Sequence, residues 1–365
     1  MITMHDFDTD TSPATVRQLD EMLAVLLTTS TDGPLLSDAD TWLHSVLLNE
    51  PAWAVAWRAM PTPANGPSPA LLIGLLLVKR NALASADSQP MVHQADDYLY
   101  DWLMHWLTST PAAMPSGCAL AVHYLIISLC QLPVADGRMA KLLRLLQHQH
   151  PAGSWNPGLD LTTEIGATGW LLTLLKARSY CLTADQRIAR DVSDLDPYLE
   201  AYVRFLYTHQ IPATGGFEFS SLFPVSVRHE EWNQADEQSW SQGDLGHLLL
   251  LHEVAGLQHQ DQLTEWANRI GGYLMHQRQQ GRLTQKQPGL LNGMAGLSLL
   301  YRRLHGLTQQ QAYLAEAHYW LGEVMQALQQ GALPADGSFR SGRLGIICAL
   351  KHWLGQEAGL DLLHL

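Results

Sequence analysis

Four times the chain places Gly-x-x-Gly ahead of a leucine-rich run. The copies are Gly166-Ala-Thr-Gly169, Gly243-Asp-Leu-Gly246, Gly293-Met-Ala-Gly296 and Gly342-Arg-Leu-Gly345. Two weaker copies precede them, one around Gly74 and one around Gly117 and Leu120. Anchored on positions 74, 120, 169, 246, 296 and 345, the steps are 46, 49, 77, 50 and 49 residues. Self-similarity at such a period marks a repeat architecture, and roughly 50 residues hold two helices with their connections. The long step carries about 28 extra residues, which fall in 211–238. There Pro212, Gly215, Gly216 and Pro224 break the helical pattern, and the aromatic content suggests a short ordered loop or strand pair.

Between the repeats lie stretches of a different kind: Asp96 to Leu107, Arg138 to His148, Asp196 to His209, Leu263 to Arg278 and Gln311 to Gln329. Their apolar residues recur every three or four positions, as in a helix with one wet face. The Gly-x-x-Gly runs are apolar on nearly every side and are expected to be buried. Alternation of buried and amphipathic helices at a fixed period implies two concentric layers. Glycines at i and i+3 share one helical face and let inner helices approach closely. The expected fold is an all-α, α/α toroid of six or seven helical hairpins, interrupted by the irregular insertion around 211–238. Strictly alternating strands are missing and no low-complexity linker divides the chain, so residues 1–365 read as a single domain.

Composition narrows the function. Only 16% of the 365 residues are charged and 47% are hydrophobic, below the usual charged share of roughly 25%. Twenty-two Lys and Arg against 35 Asp and Glu give a net charge of −13, which repels a phosphate backbone and argues against nucleic acid. Cys118, Cys130, Cys181 and Cys348 show neither a disulfide framework nor zinc-type spacing. Residues 1–10 are acidic, unlike a signal peptide. The most apolar run, Pro69 to Val78, is about half the length of a membrane-spanning helix. These features point to a cytoplasmic protein with no transmembrane segment.

The residues at the repeat turns resemble the lanthionine synthetase C-like family, cyclases that close thioether rings in lanthipeptides. Trp240-Ser-Gln-Gly-Asp-Leu-Gly246 is similar to the family's Trp-Cys-Tyr-Gly-x-x-Gly. Leu290-Leu-Asn-Gly-Met-Ala-Gly296 is similar to its Cys-His-Gly-x-x-Gly, one repeat later. Leu161 to Gly169 resembles its Gly-x-Ala-His-Gly-x-x-Gly, and Gly337 to Gly345 its terminal repeat. The likeness runs from about Ser68 to the C-terminus through the order and spacing of these segments. It implies a peptide-processing toroid whose chemistry sits in a central cavity at the Gly-x-x-Gly turns. Partners implied are a precursor peptide, a dehydratase, or both.

Active members of that family bind one zinc through two cysteines and a histidine. The matching positions here are Ser241, Leu291 and Asn292. A serine hydroxyl ionises too weakly, leucine has no lone pair, and an asparagine amide is a poor zinc ligand. The family's cavity histidine matches Ile165, the arginine before its first zinc cysteine matches Glu237, and its catalytic aspartate falls near Ala113. The expectation is therefore no metal, no other cofactor, and no zinc-dependent cyclase activity. A zinc-independent cyclase that works by orienting the peptide remains open.

Candidate cavity or peptide-binding residues are Asn292, Ser241, Glu237, Asp244, Glu164 and Arg343. Asn292 could hold a peptide backbone or cap the helix that follows, and Ser241 has the same two roles open to it. Glu237 and Asp244 could supply the pair of carboxylates that glycoside hydrolysis needs, the alternative enzymatic reading on a toroid. Against this, Glu237 lies in an acidic loop, and Asp244 opens a helix where its charge offsets the dipole. Glu164 has the same two readings.

Overall fold

The structure is a computed structural model. It describes residues 12–28, 43, 46, 69–82, 89–109, 118–129, 138, 141–142, 167–184, 196–208, 223, 226–228, 231–233, 239–240, 243–281, 285, 287–331, 338–356 and 360–363. The described elements, in chain order, begin with helices α1 (Pro13–Thr28), α2 (Pro69–Ala82), α3 (Gln89–Ser109), α4 (Cys118–Leu129), α5 (Ala167–Ala184) and α6 (Asp196–Thr208). A short ribbon of β1 (Ser226–Arg228) and β2 (Glu231–Asn233) follows. Then come α7 (Asp244–Gln258), α8 (Asp261–Gln279), α9 (Met294–Thr308), α10 (Gln311–Gln329), α11 (Arg343–Trp353) and a final 3-10 turn (Leu360–Leu363). The ribbon is antiparallel, with Val227 opposite Trp232. It lies inside the segment 211–238, where the sequence suggested a short ordered loop or strand pair.

The Gly-x-x-Gly segments open helices in one consistent way. Gly243, Gly293 and Gly342 are the N-caps of α7, α9 and α11, and no side chain caps any of the three. The second glycine is in each case the third helical residue, as Gly169 is in α5. Gly243 has φ 101°, a conformation that only glycine adopts without strain. At Gly293 the requirement is space instead. A Cβ there would lie 2.5 Å from the carbonyl oxygens of Gln287 and Gly289.

The 50-residue period holds to the residue between the hairpins α7–α8 and α9–α10. Both first helices stop at a non-glycine residue in the left-handed conformation, His259 (φ 51°) and Gln309 (φ 58°), a helix stop more often filled by glycine. Two residues later α8 and α10 begin, at Asp261 and Gln311. Helix α8 buries Leu263, Trp266, Ala267, Ile270, Gly271 and Leu274, and α10 buries the six positions 50 residues on: Tyr313, Glu316, Ala317, Trp320, Leu321 and Val324. Chemistry varies at these sites while register does not. The first helices are buried almost all round, from Asp244 to Leu251 in α7 and from Met294 to Arg302 in α9. Wet-faced and fully buried helices therefore alternate as the hydropathy pattern predicts.

Contacts sort into two compact units, residues 1–62, 69–78 and 285–365, and residues 63–68 and 79–284. In the first unit, α9 packs on α10 and α11, and α1 packs on α11 and α10. Helix α1 is an element the repeat pattern does not announce. Leu19, Leu23 and Leu26 form its buried stripe, and the Ser12 hydroxyl accepts the Thr15 N–H at 3.2 Å to start it. In the second unit, α3 packs on α4, α4 on α5, α5 on α7 and α7 on α8. A buried carboxylate fastens the first of these pairs: Asp96 accepts the Tyr124 hydroxyl at 2.7 Å and the Ser128 hydroxyl as well.

Candidate functional site

The candidate residues fall in both units, and each group is built locally. In the second unit the start of α7 is sealed. Asp244 is the first helical residue, fully buried, and its Oδ1 accepts the backbone N–H of Phe223 at 3.0 Å. That hydrogen bond satisfies the carboxylate while its position favours the helix dipole. The Phe223 ring meets His247 edge-on at 5.1 Å. Trp240, the aromatic residue of the Trp-Ser-Gln-Gly segment, is 0% exposed.

His247 is the centre of this cluster. Its Nδ1 is hydrogen-bonded to the Thr168 hydroxyl at 2.8 Å, and Thr168 is in turn hydrogen-bonded to the Tyr202 hydroxyl at 2.8 Å. All three side chains are buried. Thr168 comes from the Gly-x-x-Gly of α5 and His247 from the residue after that of α7, so the bond joins two successive repeat turns. Burial pushes the imidazole down to about 3, so it stays neutral across the physiological range. A hydroxyl beside an imidazole has the distance of a nucleophile–base pair. Closure from solvent and the low basicity make this one a clamp between helices instead.

In the first unit the turn before α9 is tied into a knot. The Gln285 Nε2 donates to the Asn292 carbonyl at 3.1 Å, and the Gln287 N–H donates to Gln285 Oε1 at 3.1 Å. The Met294 N–H reaches back to the Gln287 carbonyl at 2.8 Å. Asn292 is half-buried and stands one residue before the cap. Gly293 takes the capping position, so the helix-cap role open to Asn292 in the sequence passes to its neighbour. Arg343 is half-buried at the first position of α11. Glu164, Glu237 and Ser241 lie outside the described residues, although Gly243 rather than Ser241 is the N-cap of α7.

The zinc positions that the resemblance assigns can be tested on two of their three residues. Leu291 is 0% exposed, an apolar side chain in a closed environment. Asn292 carries an amide and no anionic or imidazole donor. Among the described residues no group of three or more His, Cys, Asp or Glu could hold a metal ion. These residues do not fit zinc. Cys348 is buried, and burial pushes its thiol up to about 12, so it is a small apolar core residue.

Sequence reasoning singled out Asp244 and Asn292 but missed Gln285, Thr168 and Tyr202. Thr168 is a variable position of its motif and Tyr202 is one of several aromatics on an amphipathic helix. Neither carried a signal of its own.

The helical repeats and buried helix starts define an α/α toroid. Among solved structures the chain is similar to nisin cyclase, with a TM-score of 0.62 and 11% sequence identity, over 96% of this chain and 98% of that one. No family model and no curated protein matches the sequence. At this identity the likeness establishes a shared fold, a lanthionine-cyclase-like helical toroid. Among the described residues no helix is long and apolar enough to cross a membrane.

Proposed function

We propose that the chain is a lanthionine synthetase C-like protein of ribosomal peptide maturation, working in the cytoplasm without the family's zinc. It binds a precursor peptide, or the dehydratase that modifies it, and so holds the peptide for ring formation. The observation that carries this reading is the pairing of a nisin-cyclase fold over nearly the whole chain with a fully buried leucine, Leu291, at a zinc-cysteine position. The fold supports a peptide substrate, while the donor set argues against metal activation of a thiol.

Two modes follow from that reading. As a scaffold, the protein binds peptide or dehydratase and leaves the chemistry to the dehydratase and to spontaneous addition. As a zinc-independent cyclase, it holds a peptide cysteine against a dehydro residue; sulfur adds to the β-carbon and the α-carbon takes up a proton. Proximity is then the main source of rate, since cysteine is already a fair nucleophile at neutral pH.

The test is incubation of purified protein with a dehydrated precursor peptide, alongside measurement of metal content. The reading expects no stoichiometric zinc and measurable peptide binding. Rings closing faster than in buffer, or in a different pattern, identify the cyclase mode, and unchanged spontaneous products with retained binding identify the scaffold. One zinc per chain, or no affinity for any dehydrated precursor or dehydratase, overturns it.

A further inference from the structure

Helices α6 and α8 of the second unit line an open groove of about 660 Å³, a size within the roughly 300–1,000 Å³ of ligand pockets. Its walls repeat one pattern. Glu200 and Arg204 stand on α6, Glu265 and Arg269 on α8, each glutamate four residues ahead of an arginine on the same helical face. That spacing normally favours an ion pair along the helix. Neither pair closes. Among the described residues, none of these four head groups takes part in an ion pair or a hydrogen bond.

Tyr207 and Trp266 line the same groove. Trp266 is buried, and the Tyr207 ring meets it edge-on at 5.6 Å and 71°. Tyr207 is nonetheless 68% exposed. A large aromatic in ring contact with a buried tryptophan yet mostly open to solvent, in a groove that also carries two arginines, has the composition of an energetic centre in a binding surface.

We propose that this groove binds a peptide segment with an aromatic or branched apolar side chain against Tyr207 and with both acidic and basic side chains beside it. The charge pattern selects that chemistry. A polyanion would face Glu200 and Glu265, and a polycation would face Arg204 and Arg269. A neutral sugar could stack on the tyrosine but would take four charges out of water without compensating them. A mixed-charge peptide offsets all four. None of these residues lies at a Gly-x-x-Gly turn, so the groove is separate from the residues of the ring-forming reading and does not depend on it.

The experiment is calorimetric titration of the full chain with short capped peptides. Each holds one phenylalanine between lysines on one side and glutamates on the other, in both orders, with all-lysine, all-glutamate and maltoheptaose controls. At least one mixed-charge order is expected to bind more tightly than every control and to weaken as salt is raised. Tyr207→Ala should weaken it about tenfold, and this exposed position leaves the far-UV circular dichroism unchanged. Arg204→Glu with Arg269→Glu should shift preference to the all-lysine peptide. Failure of both mixed-charge orders to bind at about millimolar concentration, equal affinity in Tyr207→Ala, or binding by any control tighter than that of both orders overturns the proposal.

Discussion

The backbone N–H of Leu291 donates to the carbonyl of Arg340 at 2.9 Å, joining the turn before α9 to the turn before α11. Around this bond the two turns touch main chain to main chain. A Cβ on Gly289 would lie 2.7 Å from Ser341 Cα, and one on Gly345 would lie 2.7 Å from Leu290 Cβ. The glycines of the repeat thus serve close packing of successive helix starts. Leu291, at a zinc-cysteine position of the resembled family, is held by its own backbone in an apolar setting.

Glycine substitutions should divide sharply by position. Gly293→Ala forces a methyl onto two carbonyl oxygens and should cost about 2 kcal/mol or more. Gly256→Ala and Gly322→Ala meet nothing within 4 Å on exposed helical faces and should stabilise by about 0.5–1 kcal/mol. Urea midpoints of the three variants check this; a neutral Gly293→Ala would contradict the close approach.

Acid should destabilise the fold earlier than carboxylate titration alone would. Burial holds His247 down to about 3, and His252 and His352 to about 4, with the Arg302 charge adding to burial at His352. Above pH 6.5 all three are neutral in folded and unfolded chains, so none contributes a pH dependence. As pH falls through 6.5 the unfolded chain takes up protons that the folded chain does not, and stability drops until about pH 4 to 3. Each histidine contributes up to about 1.4 kcal/mol per pH unit in that window. Denaturation measured between pH 7 and 4.5 should show the loss, and His247→Gln should reduce the slope by about one proton.

Tyr124→Phe removes one of the two hydroxyls that Asp96 accepts in the buried junction of α3 and α4. A buried carboxylate that loses a donor should cost about 1–3 kcal/mol. Chemical denaturation measures it, with Tyr207→Phe at an exposed site as the neutral comparison.

Helix α1 packs against α10 and α11, so the opening segment should stabilise a unit built largely from the chain's last helices. Leu19→Ala, at a fully buried position, should cost about 2–5 kcal/mol. Hydrogen exchange should show the weakening in α10 and α11. An unaffected exchange pattern there would contradict the packing. Helix α2 begins in one compact unit and ends in the other, and we propose that the chain unfolds as one domain, seen as a single calorimetric transition.

Much of the framework was legible because helix period and hydropathy are local quantities. The bounds Gln311 and Gln329 read from the three- and four-residue spacing are those of α10, and the buried helices begin at the Gly-x-x-Gly segments. Helix α1 escaped because it belongs to no repeat, although its leucines at 19, 23 and 26 carried a helical stripe. The irregular segment could be placed but not resolved into a strand pair, since three-residue strands have too little alternation to read.

The sequence by itself determined the order and spacing of the Gly-x-x-Gly segments, which of their helices are buried on all sides, and the absence of zinc donors at Leu291 and Asn292. Those follow from side-chain chemistry and from spacing along one chain. Only the tertiary structure decided that Thr168 meets His247 across 79 residues, that Asp244 accepts the N–H of Phe223, and that Glu200 does not close on Arg204 nor Glu265 on Arg269. Such meetings depend on how each helix is rotated about its axis when it packs, and a rotation of one residue moves a side chain by about 100°. That angle is set by the shapes of neighbouring helices, which no local pattern records.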